Sequence, residues 1–445
     1  MKNREIMSEW KEYSLGELLE ITSSKRIMRS EYTSQGIPFY RSKEIIELTQ
    51  GNKISTKLFI SDNRFNDIKN KFGVPVENDI LLTSVGTLGI PYLVNKDDIF
   101  YFKDGNLTWF KNFSNKLNSK FLFYWFSSVI GKKQIDNIAI GSTQKALTIA
   151  SLKKIVIKLP PIEYQEIICS ILSKIDKKIA LNTQTNQTLE AIAQAIFKHW
   201  FIDFAPVHAK AEVLAAGGSA EDAELAAMAS LSGKTLDAIT ALAQSDPDAY
   251  QTLRQTAQAF PSAFTDSELG LVPEGWEVKP INEVCRIIYG KGLPKKQLKQ
   301  SGYPVYGANG IIGYNDRYLY EERQVLIGCR GTVGKVSVSK PFSYITSNSL
   351  VIEYQKENLN LYFLENHLKN FDLSMFASGS VQAQITIQDL SKLKIMLPEK
   401  TILDKFYDQV NFIYSLIYKN HDKNITLSET RDTLLPKLLN GEIEL

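Results

Sequence analysis

The chain has 445 residues, 44 % of them hydrophobic, which suits two or more packed domains and excludes a disordered polymer. Three cysteines (Cys169, Cys285, Cys329) form no C-x-x-C pair and the four histidines are scattered, which argues against both a metal site and a disulfide framework. No run of 18 apolar residues occurs and MKNREIMSEW is no signal peptide, so a soluble, cytoplasmic protein without a membrane partner is expected.

The net charge of +3 conceals a pattern. Lys+Arg against Asp+Glu count 24 and 16 in residues 1–160, 7 and 15 in 161–275, 15 and 10 in 276–398, and 6 and 8 in 399–445. Two basic blocks alternate with two acidic ones. A basic block suits a polyanion, nucleic acid above all, although ordinary surface variation can give the same alternation.

Taken in chain order, the elements come twice. Trp10–Ile45 aligns with Trp276–Ile311 at an offset of 266, with GIPFY (36–40) against GYPVY (302–306). ILLTSVGTLG (80–89) aligns with VLIGCRGTVG (325–334) at 245. GSTQKALTIASLKKIVIKLP (141–160) and GSVQAQITIQDLSKLKIMLP (379–398) share ten of twenty positions at 238. The offset drops by 21 and then by 7 between anchors, so a common framework carries loops of different length. The short apolar runs ending at glycine or proline predict strands, and FLFYWFSSVI (121–130) and LYFLENHLKN (361–370) predict helices.

After each terminal proline the period changes. A heptad frame over 162–200 places Ile168, Leu172, Ile175, Ile179, Asn182, Asn186, Leu189, Ala193, Ile196 and Trp200 on one seam. Adding 238 gives Phe406, Val410, Ile413, Ile417, Asn420, Asn424, Leu427, Arg431, Leu434 and Leu438, of which Arg431 is the one poor fit. Both seams predict a coiled coil, with Asn182, Asn186, Asn420 and Asn424 as register-setting residues. The asparagines allow either orientation; an antiparallel pair is expected, because two similar helix-bearing units then relate by a pseudo-twofold axis. Thirty-three residues of such a pair span about 50 Å, against about 34 Å for one duplex turn. Residues 205–275 have no counterpart in the second half; they are rich in alanine and acid and predict short amphipathic helices, either as a linker or as a docking region.

These features together resemble the specificity subunit of type I restriction-modification systems: the G-S-x-Q…LP segments, the G-T-x-G turns, KHWFIDFAPVHAKAE (198–212) and FPSAFTDSELGLVPEGWEV (260–278). The resemblance implies an α+β (mixed α/β) chain with two tandem target recognition domains (1–160 and 276–398). It implies two long helices (161–204 and 399–445) forming an antiparallel coiled coil, and a central segment (205–275) that faces partners. It further implies that double-stranded DNA is read as two halves of an interrupted, asymmetric site. The helices would act as a ruler and dock two N6-adenine methyltransferase subunits, which nuclease-translocase subunits then join. AdoMet, ATP and Mg2+ would be used by those partners, and this chain would hold no cofactor.

Catalytic motifs fail on inspection. GCRGTVGKV (328–336) has Cys329 where a phosphate-binding loop needs glycine, and valine after Lys335 where it needs Ser/Thr. LPPIEY (159–164) has Leu159 in place of the polar residue of an adenine methyltransferase motif, and Pro247-Asp248 with Glu277-Val278-Lys279 only mimics a nuclease signature. No catalytic residue is expected. A non-enzymatic coiled-coil adaptor for protein or glycan partners is the competing reading, and a self-sufficient nuclease or methyltransferase is disfavoured.

Arg and Lys pair with guanine edges, Asn and Gln with adenine, Ser and Thr more loosely, and basic residues clamp phosphate. Candidate DNA-binding residues in the first module are Lys25, Arg26, Arg29, Arg41, Lys43, Ser84, Thr87, Ser142, Gln144 and Lys145. In the second they are Lys291, Lys295, Lys296, Tyr306, Asn309, Arg330, Thr332, Asn348, Ser380 and Gln382. Gln144 and Gln382 occupy equal places in both copies, which favours shared architecture or phosphate contact over base choice.

Overall fold

A computed structural model describes residues 10–51, 54, 57–141, 145–354, 359–379 and 383–443. It divides into two compact units, one of Met1–Thr183 with His421–Leu445 and one of Gln184–Asn420. The division falls inside both long helices, Ile162–Phe201 and Lys400–Leu439. Each unit therefore combines one β-rich module with a piece of each helix.

In the first unit, β1 (Lys11–Ser14) pairs antiparallel with β10 (Val156–Leu159), which closes the module at the two ends of its chain. Between them lies an antiparallel sheet in the order β2-β9-β6-β7 (Glu20–Thr22, Leu107–Lys111, Ile80–Thr83, Pro91–Leu93). A second sheet has the order β3-β5-β4-β8 (Tyr32–Thr33, Phe59–Ile60, Ile37–Tyr40, Tyr101–Phe102), with β4 and β8 parallel. The run Ile80-Leu81-Leu82 is apolar without alternation because β6 is covered on both faces. Ile80 and Leu82 point into a core with Phe110, Phe121 and Phe126; Leu81 points the other way, to Ile45, Phe102 and Trp109.

The second unit repeats this plan. β13 (Glu277–Pro280) pairs with β21 (Lys394–Leu397), and the sheet order is β14-β20-β17-β18 (Arg286–Tyr289, Ser349–Glu353, Val325–Gly328, Val336–Val338). Parallel β15 and β19 (Tyr303–Gly307, Tyr344–Ile345) stand where β4 and β8 do. Val325 and Ile327 face one core and Leu326 the other, the same split as in β6. The 21-residue difference lies between β4 and β6: the first module has the helices Ser42–Thr49 and Asp62–Phe72 there, whereas the second has only β16 (Gly310–Asn315), hairpinned onto β15.

FLFYWFSSVI breaks at Ser128, whose hydroxyl accepts from Gly131 N at 3.1 Å and starts a second helix, Val129–Ile138. LYFLENHLKN forms Leu361–Lys369. The alanine-rich segment forms four helices (Ala205–Ala215, Ala220–Ser232, Leu236–Ser245, Pro247–Ala259) and a β11–β12 hairpin (Phe264–Ser267, Gly270–Pro273).

The long helices run antiparallel in each unit. In the first, Asp176 meets Arg431 and Asn182 meets Asn424; in the second, Asn186 meets Asn420 and Phe197 meets Phe406. Every seam residue is buried or half-buried. Arg431, the poor fit, spans the seam to Asp176 at 2.9 Å, and the Tyr124 hydroxyl donates to the same carboxylate at 2.7 Å. The helices also enter the module cores: Ile168, Leu172, Leu435 and Leu438 in the first unit, Phe197, Phe201, Phe406 and Val410 in the second. Among the described residues no helix is long and apolar enough to cross a membrane.

Candidate nucleic-acid interface

In each module the central strand ends in the G-T-x-G turn. Gly89 N donates to Thr83 O at 2.8 Å and Gly334 N to Gly328 O at 2.8 Å, with positive φ of 75° and 80° at the two glycines. Both turns are held by the same backbone bonds. Ser84 N donates to Asn106 O at 2.8 Å and Cys329 N to Asn348 O at 3.0 Å; Leu147 N donates to Ser84 O at 3.0 Å and Ile385 N to Cys329 O at 3.1 Å. Isolated antiparallel bridges complete the pattern, Val85 with Ala146 and Arg330 with Gln384. Three loops thus converge in each module: the turn, the loop entering β9 or β20, and the segment after G-S-x-Q.

Further segments join this cluster. In the first module Ser42 Oγ donates to Asn106 O at 3.1 Å, which brings in the start of helix Ser42–Thr49 with Arg41 and Lys43. In the second, Lys335 Nζ donates to Asn309 Oδ1 at 2.5 Å, and Lys291 N donates to Ile345 O at 2.9 Å, close to the Asn348 loop. Thr87, Lys145, Lys43, Lys291, Asn309, Arg330, Thr332 and Asn348 are exposed there.

Arg41 is half-buried and fixed by Glu44. Its Nη2 lies 2.7 Å from Glu44 Oε1, its Nε donates to Oε2 at 3.2 Å, and its backbone N donates to Oε2 at 2.8 Å. Burial pushes the Glu44 carboxyl up, but the hydrogen bonds from Arg41 outweigh it and hold the group below the usual carboxylate range. The guanidinium is thereby held in one orientation by Glu44.

Other candidates lie on other segments. Lys25, Arg26 and Arg29 are exposed on the segment before β3, where Lys25 N donates to the Tyr101 hydroxyl at 2.7 Å. Lys295 and Lys296 are exposed on a short 3-10 turn, Lys295–Gln297. Ser142, Gln144, Ser380 and Gln382 lie outside the described residues.

Two expectations need correction. Ser84 is 3 % exposed, and its hydroxyl shares a 2.6 Å hydrogen bond with Thr108 inside the sheet. Tyr306 is 6 % exposed, packs with Leu326, Ile345 and Val351, and accepts from Lys340 N at 2.9 Å. Neither side chain is presented to a ligand. Conversely, Glu44, Lys335 and Gln384 each bond a candidate residue and carry no motif of their own in the sequence, although laying one copy over the other marks Gln384 as a place where the chemistry changes.

That comparison sorts the candidates. The paired strands fix equivalence at an offset of 242 for β9 and β20, so Asn106 matches Asn348. Lys25 and Lys291, Thr87 and Thr332, and Asn106 and Asn348 are the same residue in both copies. Arg41 against Gly307, Lys43 against Asn309, Val85 against Arg330, Lys145 against Ala383 and Ala146 against Gln384 differ. Among the described residues no group of three His, Cys, Asp or Glu side chains could hold a metal ion.

One framework used twice, with different side chains on the same converging loops and with antiparallel helical segments in both units, defines a two-module recognition protein. The family model for the type I restriction modification DNA specificity domain matches residues 7–191 and 273–432. The HindI specificity subunit of Haemophilus influenzae is 31 % identical over 475 residues, covering 98 % of this chain and 100 % of the relative. The MjaIX specificity subunit of Methanocaldococcus jannaschii is 23 % identical over 350 residues, covering 73 % and 69 %. The S subunit structure from M. genitalium agrees in fold, with a TM-score of 0.51, 16 % identity and 96 % of each chain covered. The chain belongs to the specificity subunits of type I restriction-modification systems. It is the DNA-specificity component of such a system, not one of its catalytic subunits.

Proposed function

We propose that this chain reads an interrupted, asymmetric site on double-stranded DNA, one half by each module, and positions partner subunits on it. Two methyltransferase subunits modify adenine N6 using AdoMet, and nuclease-translocase subunits use ATP and Mg2+; the central helices 205–259 and the long helices are their docking surface. The observation that carries this reading is the change of chemistry at equivalent loop positions on a repeated framework. Residues common to both copies, such as Thr87 and Thr332, serve phosphate contact and architecture. Residues that differ, such as Arg41, Lys43, Asn309 and Arg330, choose bases.

The long helices set the unread spacer. Each has 40 residues, about 60 Å of helix. Methylome sequencing of the host with and without this gene tests the reading: a two-part motif with a fixed gap supports it, and a contiguous motif or none overturns it. Adding one heptad to both helices, which preserves the asparagine pairs, lengthens the gap and leaves both halves unchanged. Steep salt dependence of binding by the assembled complex separates this role from an adaptor for protein or glycan.

A further inference from the structure

One pair of differing residues sits on the same structural bridge in both modules. Val85 bridges Ala146, and at the equivalent place Arg330 bridges Gln384. The backbone around the two bridges is alike down to individual hydrogen bonds, so the side chains are what changes. Arg330 is exposed, and its Nε donates to Gln384 Oε1 at 3.2 Å.

A guanidinium carries five N–H groups in a rigid fork. Tying Nε to an amide oxygen leaves both Nη groups as parallel donors and removes rotamer freedom that a free arginine would lose on binding. In the major groove, guanine offers O6 and N7 as paired acceptors for two such donors. Val85 and Ala146 have no hydrogen-bonding side chains, so the first module makes at most apolar contact there, the kind a thymine methyl accepts.

We infer that the bridged pair is a specificity determinant: Arg330 reads a guanine in the second half-site, and Gln384 is the residue that positions it. This rests on the DNA-reading role proposed above. Neighbouring Thr332 is the same in both copies and belongs to the sequence-independent contacts.

The test uses the full chain assembled with its methyltransferase subunits, bound to duplexes of its own motif carrying each of the four bases at every position of the second half. Combining Arg330→Val with Gln384→Ala installs the first module's pair. It should remove discrimination at one G·C pair, a change of roughly 5- to 150-fold, and leave the first half-site intact. Gln384→Ala alone should relax the same base pair by a smaller factor. Gln384→Glu keeps an acceptor for Nε and should preserve it.

Uniform weakening on all sequences with a shallower salt slope would make Arg330 a phosphate contact and overturn the inference. Unchanged discrimination would overturn it too, as would collapse of binding in all variants including Gln384→Glu, which would mark a folding role. If the unsubstituted chain shows no two-part motif, the bipartite reading fails and takes the inference with it. A two-part motif that the substitutions leave untouched sinks the inference alone.

Discussion

Asn182 donates its side-chain amide to Asn424 Oδ1 at 2.8 Å, a polar pair inside an apolar helix seam. Asn424 in turn donates to Thr183 Oγ1 at 3.1 Å and to Ile179 O at 3.3 Å, so the pair is knitted into one helix at a single register. Removing Asn182 leaves the half-buried Asn424 Oδ1 without its donor. Asn182→Ala should therefore cost about 1–3 kcal/mol in denaturant unfolding of the full chain. Replacing both, Asn182→Leu with Asn424→Leu, should recover most of that loss, because apolar partners need no hydrogen bond. Its price is a less uniquely fixed register. A double-mutant cycle with no coupling between the two sites would contradict the pairing.

Glu44 holds Arg41 by three contacts, as Gln384 holds Arg330 by one. With Glu44→Ala, both the guanidinium and the backbone N of Arg41 lose their acceptor. The first module should lose about 1–3 kcal/mol of stability, and discrimination at one base pair of the first half-site should weaken. Methylation maps should show the second half-site unchanged. A map altered equally in both halves would mean that Arg41 does not act through one module.

How much of this could be seen in the amino-acid sequence depended on range. The repeat was legible because its anchors are framework strands and turns whose residues cannot change freely; the heptad seams were legible because one apolar stripe runs for five repeats. Sheet order was not, since β9 meets both β2 and β6 only after long excursions. Ser84 and Thr87 stand three residues apart in one polar turn, yet one faces the sheet and the other solvent. Composition cannot separate them. Likewise Arg330 and Gln384 lie 54 residues apart, and the fold alone makes them neighbours.

The two glycines of the second turn should respond differently to alanine. At Gly331, φ is +79° and a Cβ would meet nothing within 4 Å, so Gly331→Ala should cost only the left-handed strain, about 1–2 kcal/mol. At Gly334, φ is +80° and a Cβ would stand 2.9 Å from Ser374 N, a backbone atom that cannot swing aside. Gly334→Ala should lose about 1–3 kcal/mol more. In the first module Gly89 faces Ile135 Cγ2 at 2.9 Å instead, a methyl on the β-carbon of a buried, β-branched side chain that cannot swing aside either, so the extra cost there should be comparable. Thermal unfolding of the four alanine variants, Gly86→Ala included, ranks them; equal losses at Gly331 and Gly334 would refute the close packing of this turn.

His367 gives the second unit an acid sensitivity of known sign. Its ring is buried among Phe197, Phe363 and Phe371, and this burial pulls the imidazole down to about 4. The unfolded chain, with an ordinary imidazole, takes up a proton near pH 6.5, before the folded one does. Stability from this group is complete above pH 6.5 and drains away as pH falls toward 4, by at most about 3 kcal/mol. Glu365 works in the opposite direction: burial raises its carboxyl, with Lys369 opposing, so acidification relieves it. The net slope of the unsubstituted chain mixes both, and His367→Phe isolates the histidine's share. Urea unfolding between pH 7 and 4 should show the gap between the two proteins changing by up to about 3 kcal/mol in favour of the phenylalanine variant at the acid end. Parallel stability curves across that range would mean that the folded protein admits a proton to His367 as easily as the unfolded one does.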